Sequence, residues 1–183
     1  MANAVKGSTK VITGKIRMCY VNLFTPRAIT EGEEPKYSLC VLIPKSDKET
    51  ISKINSAVEE AKRAGAVLWG GKIPLSLKAP LRDADEEKPD AEEFAGHYFL
   101  NAISKLKPGV VNKNCQEITE EAQVYSGCYG RVSLNFYAFN QSENQGIGCG
   151  LQNVQKLMDG EVISGRTRAE DDFAQALDDD ILG

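Results

Sequence analysis

The chain is poor in the residues that do chemistry. Its 183 residues include one histidine, His97, and no two of its cysteines stand at zinc-finger spacing. An enzyme needs acid, base, nucleophile or metal ligands that converge. No catalytic residue, metal site or cofactor is therefore assigned. The glycines Gly146, Gly148 and Gly150 fail the dinucleotide fingerprint, because Leu151 and Asn153 stand where its last glycine belongs, and no phosphate-loop Lys-Ser/Thr motif occurs. They read instead as places where a strand bends or two backbones approach. Helix-turn-helix and zinc-finger signatures are missing, which argues against base readout in a duplex groove. No apolar stretch nears the roughly 18 residues of a membrane span, and none follows the start MANAVKGSTK, so no membrane or export segment is expected. The cysteines Cys19, Cys40, Cys115, Cys128 and Cys149 are odd in number and widely spaced. They read as reduced, largely buried small hydrophobes in a reducing cytoplasm.

Charge is abundant but unevenly placed. The last fifteen residues, Ala169 to Gly183, hold six carboxylates and no basic residue, and end on the apolar pair Ile181 and Leu182. Such a block repels itself and has too few apolar groups to offset chain entropy, so a solvated, disordered tail is expected. Residues 1–168 then carry 22 basic against 20 acidic residues. Within them Asp83 to Glu93 has seven acids and one lysine, and reads as a solvated loop that also absorbs the Glu92–Glu93 pair. What remains is clearly basic, an arrangement suited to a polyanion with the tail as internal competitor. With 42% apolar residues, 1–168 can form one domain around a core.

Strand patterns dominate that domain. From Ile12 to Phe24 the even positions Ile12, Ile16, Met18, Tyr20 and Phe24 are expected in the core, with Thr13, Lys15 and Arg17 on the opposite face. Tyr37 to Ile43 is a second strand stopped by Pro44. A helix follows, with Ser46 and Glu49 as a capping box, Ile51, Ile54, Val58 and Ala61 at helical spacing, and Gly65 as its stop. Tyr98 to Lys105 returns to strand, His97 reads as a partly buried strand residue, and a last strand or irregular piece ends near Gly160. The strongest strand is Gly127 to Phe139. Its even positions (Cys128, Gly130, Val132, Leu134, Phe136, Ala138) suit a core. Its odd positions interleave Tyr129, Tyr137 and Phe139 with Arg131, Ser133 and Asn135.

That odd face has two readings. Another element can cover the aromatics in a half-buried sheet. Alternatively the rings stack on the bases of a single strand while nearby cations track the phosphates, a mode that demands no sequence. The second reading makes a groove of Lys15 and Arg17 on the first strand with Tyr129, Arg131, Tyr137 and Phe139. Lys72, beside Trp69, and Arg82 are second-rank candidates. RNA is not excluded by this argument.

The run Gly127 to Tyr137 (GCYGRVSLNFY), Gly146 to Lys156 (GIGCGLQNVQK), Asp159-Gly160-Glu161 and Ala169 to Phe173 (AEDDF) resembles a family of bacteriophage single-stranded DNA-binding proteins. Lys36-Tyr37-Ser38 to Pro44-Lys45-Ser46-Asp47 and Pro80 to Asp83 fit the same family. The resemblance implies an OB-fold, a small curved antiparallel barrel with an inserted helix. It also implies a non-enzymatic role in replication or recombination of a phage genome, in the cytoplasm of the infected bacterial host. The tail resembles the acidic tips by which single-strand binding proteins recruit replication and recombination partners. Asp178, Asp179, Asp180, Ile181 and Leu182 are the candidate contacts, although the terminal aromatic of such tips is absent. Self-association on DNA is compatible with all of this. A protein-interaction adaptor of the replication or packaging machinery is the alternative reading, and a nuclease with acidic metal ligands ranks third.

Overall fold

Alternating side chains and β-branched runs produce a mainly β protein with few helices. The computed structural model describes residues 8–28, 30–141 and 144–163. The acidic tail, with Asp178, Asp179, Asp180, Ile181 and Leu182, lies outside them. The strands are β1 (Lys10–Ile12), β2 (Ile16–Arg27), β3 (Lys36–Pro44), β4 (Arg82–Asp83), β5 (His97–Ser104), β6 (Gly109–Val111), β7 (Tyr129–Gln141) and β8 (Asn144–Met158). The helices are α1 (Lys48–Ala64) and the single turn α2 (Ala84–Glu87).

The sheet runs β1-β7-β2-β3-β5-β8-β6, β4 pairs with β5, and a further pairing of β7 with β8 closes the circuit β7-β2-β3-β5-β8 on itself. The β5–β8 contact is parallel and joins Ile103 to Gly150. The other contacts of the circuit are antiparallel. The longest is the β7–β8 hairpin, which runs from Tyr129 opposite Met158 to Gln141 opposite Asn144.

The even face of β7 is the core face, as its period-2 pattern predicts: Cys128, Val132, Leu134 and Phe136 are buried against Met18, Leu39, Val41, Leu100, Cys149 and Leu151. Helix α1 adds Ile54, Ala57 and Ala61. Its N-cap corrects the expected capping box. Asp47, not Ser46, accepts from the Thr50 amide, at 3.2 Å, which satisfies one of the orphan donors of the first turn. Thr50 in turn accepts from the Gly14 amide at 2.9 Å, locking the helix start to the β1–β2 connection. Gly65 ends the helix as expected, but at φ −89°. Glycine is needed there because a Cβ would meet that of Ala138 at 2.1 Å.

Three further expectations are corrected. The first strand is two strands. Thr13 is fully buried between them, its hydroxyl accepting from the Val132 amide at 3.1 Å, whereas Ile12 is half exposed. The even phase holds at Ile16 and Met18, then breaks. Tyr20 points outward while Cys19 and Leu23 are buried, because β2 advances three residues between Cys19–Cys40 and Asn22–Ser38 while β3 advances two. That extra residue is a β-bulge, which re-aims side chains. Finally, Asp83 to Glu93 keeps six of its seven acids exposed, as expected, but is not a free loop. Ala84 and Phe94 bury themselves with Cys19, Cys40, Leu42 and Phe99 in a second apolar cluster on the outer side of β3 and β5. Lys45 holds the segment through Asp83 and Asp85, each at 2.7 Å. This double cover is why Leu39 to Ile43 of β3 is a continuous buried run.

Candidate nucleic-acid interface

The odd positions of β7 face outward, so the register read from the sequence holds. Over 13 residues the strand is about 40 Å long at ~3.3 Å per residue, which puts Tyr129 and Tyr137 roughly 26 Å apart. The candidate groove is therefore a long track with two unlike ends.

At the Tyr129 end the cations and the ring do meet. Lys15 Nζ and the Arg17 guanidinium each lie 5.4 Å from the Tyr129 ring centre, within cation–π range. Arg131 turns toward the same corner and donates through Nε to the Thr13 carbonyl at 2.9 Å. Much of this chemistry is already engaged by the chain's own C-terminal segment. Arg17 donates to the carbonyl oxygens of Gly127, at 3.1 Å, and Glu161, at 2.6 Å. Gly160 passes so close to the Tyr129 ring that a Cβ there would lie 2.7 Å from it. Ile163 then bonds through its amide to the Ser126 carbonyl and packs on the second apolar cluster. Lys15 and Arg131 remain exposed.

At the Tyr137 end the neighbours are glycines. Opposite Tyr137 stands Gly148 and opposite Phe139 stands Gly146. A Cβ on Gly148 would lie 2.5 Å from the Tyr137 ring and one on Gly146 2.9 Å from that of Phe139. The rings thus lie across bare backbone, where any side chain would lift them. The glycines are places of close approach, as the sequence suggested, and what approaches is an aromatic ring. Tyr137 remains 39% exposed, and burial of its other face pushes the phenol pKa up, so the ring stays neutral at physiological pH. Lys78 bridges to Gly146 and donates to Asn144 at 2.9 Å. Sequence reasoning missed Lys78, since it lies 66 residues away in an irregular stretch.

The second-rank candidates do not join Tyr129. Trp69 packs against the main core with its indole N–H buried and unpartnered, and Lys72 is exposed just beyond it. Arg82 lies on β4 at the far side of β5, in a bidentate pair with Glu87 at 2.7 and 3.0 Å. No cluster of three or more metal-ligating side chains occurs among the described residues, and none of their helices is long and apolar enough to cross a membrane.

The family model described as Enterobacter phage Enc34, ssDNA-binding protein, matches residues 9–182. The chain belongs to that family. Among relatives of this Enc34-family chain, protein p50 of Acyrthosiphon pisum secondary endosymbiont phage 1 is 28% identical over 187 residues, covering 94% of this chain and 98% of that protein. Among solved structures, the single-stranded DNA-binding protein from bacteriophage Enc34 in complex with ssDNA superposes with a TM-score of 0.77 at 24% identity, over 89% of this chain and 97% of that one. A C-terminal truncation of the Enc34 protein gives 0.73 at 25%, over 85% and 88%. The single-stranded DNA-binding protein gp2.5 of bacteriophage T7 shares the fold at a TM-score of 0.62 and 14% identity, over 91% and 93%.

Proposed function

We propose that this Enc34-family chain binds single-stranded DNA without sequence preference, by base stacking and phosphate neutralisation, in the replication or recombination of a phage genome inside the infected bacterial cytoplasm. The closed circuit β7-β2-β3-β5-β8 is read as the small curved barrel of an OB-fold. The observation that carries the binding mode is the outer face of β7: a neutral Tyr137 ring laid flat across Gly148, with Phe139 and Lys78 beside it and Lys15 and Arg131 toward the other end. Flat exposed rings are sequence-tolerant because every base has a π-face. No group of this surface is assigned a catalytic role. The acidic tail, through Asp178 to Leu182, recruits replication or recombination proteins and competes with DNA for the cations of the track.

A fluorescent oligo(dT) titrated across a range of salt, against duplex of equal length, tests this. Four to six phosphate contacts predict a log–log salt slope of roughly −3 to −4 for single strands, with duplex bound more weakly. A slope near zero or equal affinity for duplex would refute it. Those outcomes would favour the adaptor reading, which draws support from the exposed side chains of Val67, Leu68, Ile73 and Leu75.

A further inference from the structure

Tyr20 is the most unusual residue of the sheet. Its backbone sits at φ +47°, in the left-handed region that tyrosine rarely occupies outside special sites. Its side chain is 62% exposed although it lies inside a strand. Both facts come from the bulge between Cys19 and Asn22. An unbulged β2 would carry the even phase of Ile16 and Met18 onward and bury the ring. The extra residue turns it out into solvent instead. Strained backbone of this kind persists where the surroundings enforce it, often at ligand sites. Here the enforcement is visible. Cys19 and Cys40, opposite each other, are buried under Phe94 and Ala84. Beyond the bulge Asn22 donates both to the Tyr20 carbonyl, at 3.3 Å, and to the Ser38 hydroxyl, at 3.2 Å.

Hydrogen-bonding groups adjoin the exposed ring. Arg17 lies three residues back, about 10 Å along the strand. The Asn22–Ser38 pair places an amide and a hydroxyl on the adjoining surface. An exposed tyrosine and a polar pair match what a nucleobase presents: a ring face and hydrogen-bonding edges.

We infer that Tyr20, held outward by the β2 bulge, is a stacking platform for a nucleobase of bound single-stranded DNA, separate from the aromatic end of β7. This rests on the single-strand reading above and extends it to the outer face of β2 and β3. The track then continues past the Tyr129 corner instead of ending there.

Three proteins, the natural chain, Tyr20→Phe and Tyr20→Gly, are compared in the oligo(dT) titration and in thermal melting. A stacking role predicts that Tyr20→Phe keeps its affinity, since the ring face is retained. Tyr20→Gly should lose about 5-fold to 100-fold, the range that one base–aromatic stack contributes. Glycine accepts positive φ without strain, so the Tyr20→Gly melting temperature should be unchanged or raised. Photocrosslinking of an oligonucleotide carrying 5-iododeoxyuridine, mapped by peptide mass spectrometry, should mark Tyr20 itself. If the natural chain binds oligo(dT) while Tyr20→Gly binds equally well, or Tyr20 takes no crosslink, the inference is wrong. A fall in melting temperature with unchanged affinity would make the residue structural and overturn it equally. If the natural chain does not bind oligo(dT), the single-strand reading itself has failed, and that control separates the two cases.

Discussion

Tyr129 and Tyr137 stand on the same face of one strand in different surroundings. Tyr129 is enclosed by Gly160, Lys15 and Arg17, and its corner holds down the chain at Glu161 and Ile163. Tyr137 lies on bare glycine backbone with its other face toward solvent. The difference teaches that residue type and strand register locate a surface, while its availability depends on what the rest of the chain lays over it. The covering element that competed with base stacking as an explanation of the odd face is real at the Tyr129 end, while Tyr137 stays 39% exposed.

The comparison can be broken most forcefully from the inner face. Phe136→Ala removes a fully buried ring beside Tyr137, and should lower folding stability by about 3–5 kcal/mol, read by denaturant unfolding. A small effect there, with a large one from Tyr137→Ala, would mean that the two faces have been exchanged.

The next effect separates the two tyrosines. Tyr137→Ala should weaken single-strand affinity by about 1–3 kcal/mol and leave the melting temperature nearly unchanged. Tyr129→Ala should act first on stability, by about 1–2 kcal/mol, because it unseats Gly160 and loosens the Arg17 corner. Paired binding and melting curves decide this. Equal binding losses from both variants, without a stability loss in Tyr129→Ala, would make the ends equivalent.

The smallest effect concerns the acidic segment that shares the second apolar cluster with Ile163. The Lys45 ammonium beside Asp85, and secondarily the Gly96 amide, hold the Asp85 carboxyl below its ordinary value. A carboxylate with a depressed folded-state pKa stabilises the fold above its unfolded value, near 3.9, and that contribution is lost as pH falls through the depressed value. Asp85→Asn should therefore melt slightly below the natural chain at pH 7, and the gap should close below about pH 4. A gap that persists in acid would show that the side chain acts by packing and not by charge. The partner group behaves in the opposite sense: the Asp83 and Asp85 carboxylates raise the Lys45 pKa, so its share is intact at neutral pH and is lost only in strong alkali.

Much of this architecture was legible in the residues. The register of β7, the run of β3, the position of α1 and the close approach at Gly146 and Gly148 all follow from patterns within a dozen neighbours, where side-chain period and glycine placement report directly on burial. Two of the segments that resemble phage single-stranded DNA-binding proteins, Gly127 to Tyr137 and Gly146 to Lys156, fall in or beside the β7–β8 hairpin. What escaped was what depends on distant chain. The Arg17–Glu161 bond spans 144 residues, and no local signal announces it. The acids of Asp83 to Glu93 are mostly exposed, as their charge predicts, but Ala84 and Phe94 join a cluster that exists only once β2, β3 and β5 have paired.

Tyr20 marks the boundary most clearly. Alternation alone sends it into the core, and a bulge needs no glycine to announce it. Only the pairing of β2 with β3, where Cys19 must meet Cys40 and Asn22 must meet Ser38, forces one surplus residue out of step. The amino-acid sequence thus determined the strands β3, β5 and β7, the helix α1 and the apolar face of β7. Tertiary structure decided which aromatic rings other parts of the chain cover and which stay exposed, because that choice rests on contacts made only after the sheet has closed.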